Sequence, residues 1–391
     1  MILQELKKIF DIKRVLIILI WGILFYVLIF QYNVGIPANT SDSIILDISL
    51  ALKEKYGDTI DEIEYKVLLQ DILNKVDNTK ESKIDTFIKT NEEFKKNNIT
   101  NYAQYHAMND SFSLEVGATL SSLIINQFTP EEQHEAWITI FEEDYLNYLT
   151  KTYDREVLSN QSASYDTGLG EKAVNRIEER NQEEVYSLMP YGVMDNYLHI
   201  LPDFAVFLFL SIILLIVPYS VKDTIENINI LQYASKKGCK FYWKKVLSAF
   251  ISAFILCVIE ICFFILMLSK NHTFSFMDCY VSGFGNPFIT AIKITFGQYI
   301  IISIAYNMII GLCLAVITYC LSSCTRNYIS AIAFQIPLII FSFVISLKIM
   351  PHFAEITQNI NILYMIPIIC IIAAVSGNMA RFVLIRFHER I

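Results

Sequence analysis

The chain has 391 residues, 54% hydrophobic and 18% charged, with a mean hydropathy of +0.43, which excludes the composition of an ordinary water-soluble enzyme. The 31 Lys and Arg against 39 Asp and Glu leave a net charge of -8, which speaks against the basic face a nucleic-acid binder needs. That charge is unevenly divided: residues 32–200 hold 30 acids and 14 bases, a net of -16, while the rest carries a net of +8.

Residues 1–31 read as a short basic N-terminus followed by a first membrane span at 15–31. Lys13 and Arg14 precede an apolar run, Val15 to Phe30, that exceeds the roughly 7–15 residues of a signal-peptide core, and no small-residue cleavage site follows it. The expectation is a retained anchor.

Residues 32–200 are expected to fold as an extracytoplasmic helical domain of four to seven helices. Gly and Pro are scarce between 58 and 167, and apolar residues recur every three or four positions. Ile60, Ile63, Val67, Leu68 and Ile72 form one predicted amphipathic stripe. A second helix start is signalled at Thr129-Pro130-Glu131-Glu132, with Trp137, Ile140, Phe141, Tyr145 and Tyr148 as its apolar side. All eight cysteines lie outside this domain, so it carries no disulfide, as suits a bacterial surface. His134 sits among Glu131, Glu132 and Glu135, but neighbouring helical positions point apart, so this reads as a solvated face rather than a metal site.

Residues 201–391 hold five further apolar stretches, at 203–219, 246–268, 297–321, 329–347 and 362–384. Each is near the about 20 helical residues that cross a hydrocarbon core. The fold class predicted is all-α, a polytopic membrane protein with six transmembrane helices. With the N-terminus inside, fourteen Lys and Arg fall on inner segments, whereas the short outer loops hold only Lys270, Lys293 and Lys348. The positive-inside rule therefore places both termini in the cytoplasm and 32–200 outside a cell membrane. Tyr32, Tyr197, Tyr219, Tyr242 and Trp243 fall at the predicted interfaces, as an aromatic belt would.

The segment joining the second and third spans, 221–245, carries the most information. Ile225, Ile228 and Leu231, with Gln232 and Tyr233, repeat at helical spacing, and Gly238 follows Lys236 and Lys237 where a helix would end. Two readings fit: a basic loop that only fixes topology, or a short amphipathic helix on which a cytoplasmic partner docks. No phosphate-binding G-x-x-x-x-G-K-[ST] occurs, nor H-E-x-x-H, C-x-x-C or G-x-S-x-G. A nucleotide that drives this protein would be bound by another chain.

At these residues the sequence resembles the type-2 ABC transporter permeases. Glu226, Ile230 and Leu231, the turn Ser235-Lys236-Lys237-Gly238, and Lys244 or Lys245 occupy the places of that family's docking segment. Leu321-Ser322-Ser323-Cys324-Thr325-Arg326-Asn327 resembles its inner turn between the fourth and fifth spans. The frequent Gly-Thr after the acid is lacking, and Ala234 stands where many members carry Pro. The resemblance implies no enzymatic site of the chain's own. It implies separate ATPase subunits that hold ATP and Mg, docked through Glu226, Ile228, Leu231, Tyr233, Ser235, Lys236, Lys237 and Gly238. It also implies a second permease protomer, identical or not, in a lipid bilayer, and export of a substrate such as an antimicrobial peptide, lipid or drug. The rival expectation is a non-transporting sensor or scaffold whose outer domain binds a ligand.

Within the third span Glu260 stands alone as an acid and should face the bundle. It reads either as a gate, coupling contact or cation-accepting point, or as a hydrogen-bonded knot between helices. Gln298, Asn307, Thr318 and Gln335 fit a translocation route or ordinary interhelical bonding equally well. Ala373 and Gly377 permit close helix contact, and Pro337 and Pro367 fall inside spans. The acidic outer domain would attract cationic peptides by its field, or simply stay soluble.

Overall fold

In the computed structural model the described residues are 2–34, 41–61, 63–64, 66–67, 78–108, 112–126, 175, 185–228, 232, 238–281, 290, 292–352, 355 and 360–388. They are overwhelmingly helical, and the strands among them are β1 (Thr59–Asp61) and β2 (Val185–Ser187). Six helices are long and apolar enough to cross a bilayer: Ile12–Phe30, Tyr191–Ile225, Lys240–Leu268, Phe296–Ser323, Tyr328–His352 and Tyr364–Arg386. The chain is an all-α, multi-pass membrane protein, as its sequence predicts.

The second span departs most from expectation. The sequence predicts a span over 203–219, whereas the helix runs for 35 residues with Pro202 and Pro218 inside it. At 1.5 Å per residue it measures roughly 52 Å, longer than the ~30 Å hydrocarbon core. Its flanks, such as Tyr197 and Asp223, bury themselves against other helices instead of meeting water, which lets the helix continue through polar residues. This span is the centre of the bundle: Phe204 through Phe209 are all buried. The first span lies outside, with Leu16, Ile17, Leu19, Ile20, Ile23 and Leu24 exposed, an apolar surface suited to lipid.

Lipid tails are as apolar as these side chains, so close packing rather than the hydrophobic effect must join the spans. Gly311 on the fourth span supplies such an approach: a Cβ there would lie 3.0 Å from Ile212 Cδ1, 3.7 Å from Cys257 Sγ and 3.8 Å from Leu208 Cδ2. The second, third and fourth spans meet at this point. Gly377 does the same for the sixth span, 3.8 Å from Cys320 Sγ.

The predicted aromatic belt needs correction. Tyr32 and Trp243 are exposed, but Tyr197, Tyr219 and Tyr242 are buried in the bundle, each with its hydroxyl in a hydrogen bond to another element. A tyrosine near the end of a span satisfies hydropathy equally well as an anchor or as a buried donor.

Beyond the first span the chain leaves the bundle through the helix Ser41–Tyr56, which ends where Gly57 adopts φ 89° and donates to the Lys53 carbonyl. It returns through β2, antiparallel to β1 with Thr59 opposite Ser187, Ile60 opposite Tyr186 and Asp61 opposite Val185. The predicted stripe from Ile60 to Ile72 is therefore not one helix face. Ile60 is a buried strand residue, while Ile63 and Val67 are exposed. Asp61 ends the strand by accepting from the amides of Ile63 and Glu64, and Glu64 accepts from the Asp61 amide, so a reciprocal cap starts a new helical turn there. Leu68, Ile72, Glu131 to Glu135 and the helix predicted after Thr129 lie outside the described residues.

Helices Asn78–Thr90, Glu92–Lys96, Tyr102–Met108 and Leu114–Ile125 form a compact module with its own core. Its core is Ile84, Ile88, Phe94, Ile99, Tyr102, Tyr105, Leu120 and Ile124. Each buried aliphatic or Phe side chain there contributes about 1.5–3 kcal/mol relative to exposure. Asn91 and Ser113 cap two of its helices with their side-chain oxygens. Cys257, Cys262, Cys279, Cys313, Cys320, Cys324 and Cys370 are free thiols.

Candidate functional site

The segment singled out by sequence divides differently from the expected single helix. Val221 to Ile225 complete the second span, and Gly238 opens the third instead of closing a helix. The second span stops at Glu226, and Asn227 follows in the left-handed region at φ 54°, a conformation that Asn tolerates better than most residues. Glu226 is exposed, 3.8 Å from Lys222 one turn back, and so ends a helix where the resemblance has it begin one. Ile228 is half-buried. Leu231, Tyr233, Ser235, Lys236 and Lys237 lie outside the described residues.

Buried charge stands on both sides of this segment. Asp223 on the second span and Lys245 on the third form an ion pair, Oδ2 to Nζ 2.5 Å, with side chains 8% and 1% exposed. Removing one member would leave the other uncompensated, a loss of about 3–5 kcal/mol in buried pairs. Beside them lies the N-terminal helix Ile2–Ile9, which turns Glu5 and Ile9 inward. Tyr219 donates its hydroxyl proton to Glu5 Oε2 at 2.8 Å, and Lys8 covers Glu5 Oε1 at 2.9 Å. Arg14 Nη1 donates to the Lys8 carbonyl at 2.6 Å, near the end of that helix.

A second polar layer follows. Tyr242 donates to Asn378 Oδ1 at 2.7 Å, and Asn378 donates in turn to the Ala374 and Val316 carbonyls. Arg381 Nη2 donates to the Ser323 carbonyl at 3.1 Å. Tyr219, Tyr319 and Tyr242 pack in series with neighbouring ring centroids 6.1 Å apart. The end of the bundle near the chain termini is thus fastened from the N-terminal helix to the sixth span.

Glu260 faces the bundle, as expected, and is 4% exposed. Ser211 of the second span lies beside the carboxyl, and Cys257 sits one turn back along its own helix. Neither carboxyl oxygen meets hydrogen-bond geometry with a partner among the described residues. Cys257 touches the Gly311 approach, so Glu260 lies about one turn from the junction of the second, third and fourth spans.

The other polar candidates do not converge. Gln298 makes a reciprocal cap with Thr295 at the start of the fourth span. Asn307 donates to the Ser303 carbonyl one turn away, and Gln335 donates to Ser322 Oγ at 3.0 Å. Thr318 is fully buried. Among the described residues no three His, Cys, Asp or Glu gather as a metal site would require.

At the opposite end Lys53, on the helix that follows the first span, joins that helix to the loop after the third span. Its ammonium lies 2.5 Å from Asp58 and donates to the Ser275 carbonyl at 2.5 Å. Burial works against that ammonium, but the hydrogen bond to Asp58 and the neighbouring acids outweigh it and hold Lys53 above its ordinary range. Burial pushes the Cys279 thiol beside it up to about 12.

Sequence reasoning missed Glu5, Tyr219, Asp223 and Lys245 as a group. Glu5 carried a usable signal, being the acid that shares a helical face with Ile2 and Ile9. Lys245 had none, because Lys244 beside it reads identically. Comparison with protein-family models, with curated proteins and with solved structures gives no match.

Proposed function

We propose that this chain is the membrane permease subunit of an ATP-driven exporter and works with a separate ATPase chain that carries ATP and Mg. The observation that supports it most is the 226–237 segment, set between two continuous spans whose ends are locked together by the buried Asp223–Lys245 pair. A loop that served only to fix topology needs no buried ion pair at its base. A surface that receives mechanical work does need rigid helices leading from it.

In this reading the end bearing the termini is cytoplasmic, residues 32–200 lie outside, and two protomers make the pathway. The cargo is a membrane-active molecule such as a cationic peptide, a lipid or a drug. Resemblance in spacing and charge at Glu226, Lys236, Lys237 and Lys245 adds to the case. The test is affinity purification of the tagged chain in mild detergent, beside a variant with Glu226, Lys236 and Lys237 replaced by Ala. Recovery of an ATPase with the wild type and its loss from the variant is the expected result. No ATPase with either would overturn the reading and leave a sensor or scaffold.

A further inference from the structure

The two residues that bracket the 226–237 segment most closely with buried charge are Asp223, three positions before Glu226, and Lys245, two helical turns after Gly238. Lys245 has a second acid in range, Glu5 of the N-terminal helix, and Glu5 is itself held by Tyr219 and Lys8. Arg14, at the start of the first span, lies in range of Asp223, so two acids and three bases meet at one place. They come from four elements: the N-terminal helix and the first, second and third spans.

Such an arrangement is a poor way to gain stability. Desolvating a buried ion pair costs about what the attraction returns, and apolar residues of similar volume often hold a fold as well or better. What an ion pair adds is one preferred geometry, since an apolar contact slides with little change in energy while a charged pair does not. The position decides what that geometry is for. Nothing but the 226–237 segment lies between the two helix ends that the pair joins.

We propose that Glu5, Asp223 and Lys245 are positioning residues, a three-charge clamp that fixes the ends of the 226–237 segment so that force on it moves the second and third spans as one body. The proposal rests on the docking reading for what supplies the force, but the clamp itself is testable without it. Glu5 gives the cluster a handedness. Exchanging the pair as Asp223→Lys with Lys245→Asp sets the new acid against Glu5 and the new base against Arg14, and Lys8, half exposed, is left to cover both acids.

The experiment places genetically encoded spin labels at Lys222 and Lys244, both exposed, in the full chain in lipid nanodiscs, and reads their separation by pulsed electron paramagnetic resonance. The wild type should give one narrow peak for the distance within the chain, with separations between protomers identified from singly labelled controls. Asp223→Leu with Lys245→Met should keep the melting temperature and lose the narrow peak. The charge exchange alone should also lose it, and adding Glu5→Gln with Arg14→Gln to the exchange should restore it. A narrow peak in the apolar pair or in the exchange alone, or no recovery with the two Gln substitutions, overturns the clamp. If the apolar pair fails to fold, the exchange with and without the two Gln substitutions still decides between these outcomes.

A second readout uses the ATPase recovered with the wild type. The narrow-peak variants should stimulate its ATP turnover as the wild type does, and the broad-peak variants should bind it without stimulation. Equal stimulation by both groups overturns the transmitting role. Failure of the wild type to recover any ATPase would instead defeat the docking reading, while the distance measurement continues to judge the clamp alone.

Discussion

Tyr219 on the second span donates its hydroxyl proton to Glu5 on the N-terminal helix at 2.8 Å, with both side chains buried. This bond fastens an eight-residue helix that is too short to be stable alone in water. Hydrogen bonds to charged groups contribute about 1.5–3 kcal/mol. Tyr219→Phe should therefore lower stability by about that amount, read as loss of protection from hydrogen exchange over Ile2–Ile9. In a Glu5→Gln background the same substitution should cost clearly less, because the charged acceptor is already gone. Equal costs in the two backgrounds would show that the hydroxyl acts through something other than its bond to the Glu5 carboxylate.

Gly311 sets how closely the second, third and fourth spans approach. A Cβ at 3.0 Å meets only the tip of Ile212, a methyl group that can swing aside. Gly311→Ala should cost less than about 1 kcal/mol, whereas Gly311→Leu must part the helices and should cost about 1–3 kcal/mol. Thermal unfolding in detergent would measure both. Combining Gly311→Ala with Ile212→Val should recover the smaller loss.

The clasp at the opposite end should fail in alkali. Lys53 has its folded value raised by Asp58, so its contribution is complete below the ordinary lysine value and is lost as pH rises through the higher folded one. Cys279 acts in the same direction: its thiol stays neutral up to about 12 when folded, so stability falls from the ordinary thiol range toward that value. Contact between Lys53 and Ser275 should loosen only above the ordinary lysine value of about 10.4 while remaining unchanged between about 6 and 8. Mass spectrometry after alkylation at graded pH would read this, with Cys279 slow to react in the folded chain near pH 8 and fast once denatured. Rapid alkylation of folded Cys279 at that pH would contradict the burial described.

Six spans were legible because the signal for a membrane helix is long and redundant, and one charge more or less does not erase it. The extent of the second span was not legible, since Tyr197 and Tyr219 read as interfacial aromatics and Asp223 as part of the 221–245 loop until their buried partners are seen. Glu260 shows the opposite case: a lone acid in an apolar run must turn inward, and it does. The strand at Ile60 was lost for a third reason. Three residues are too few to show a period of two, and the helical turn that follows Asp61 extended the wrong pattern across them.

Glu260 separates a role in packing from a role in transport. Its carboxyl is buried beside Ser211 without a hydrogen bond of good geometry among the described residues, so the neutral amide of Gln, nearly the same shape, should fit with little strain. Glu260→Gln should hold expression and melting temperature close to wild type. Glu260→Lys should fail to assemble, because a cation at the centre of a span costs about 2.5–3.5 kcal/mol on insertion scales and no acid among the described residues stands beside it. Export is the discriminating readout. If the carboxyl takes part in the cycle, Glu260→Gln should lose transport at normal abundance while ATPase recovery persists; unchanged transport would assign Glu260 to the packing of the second and third spans alone.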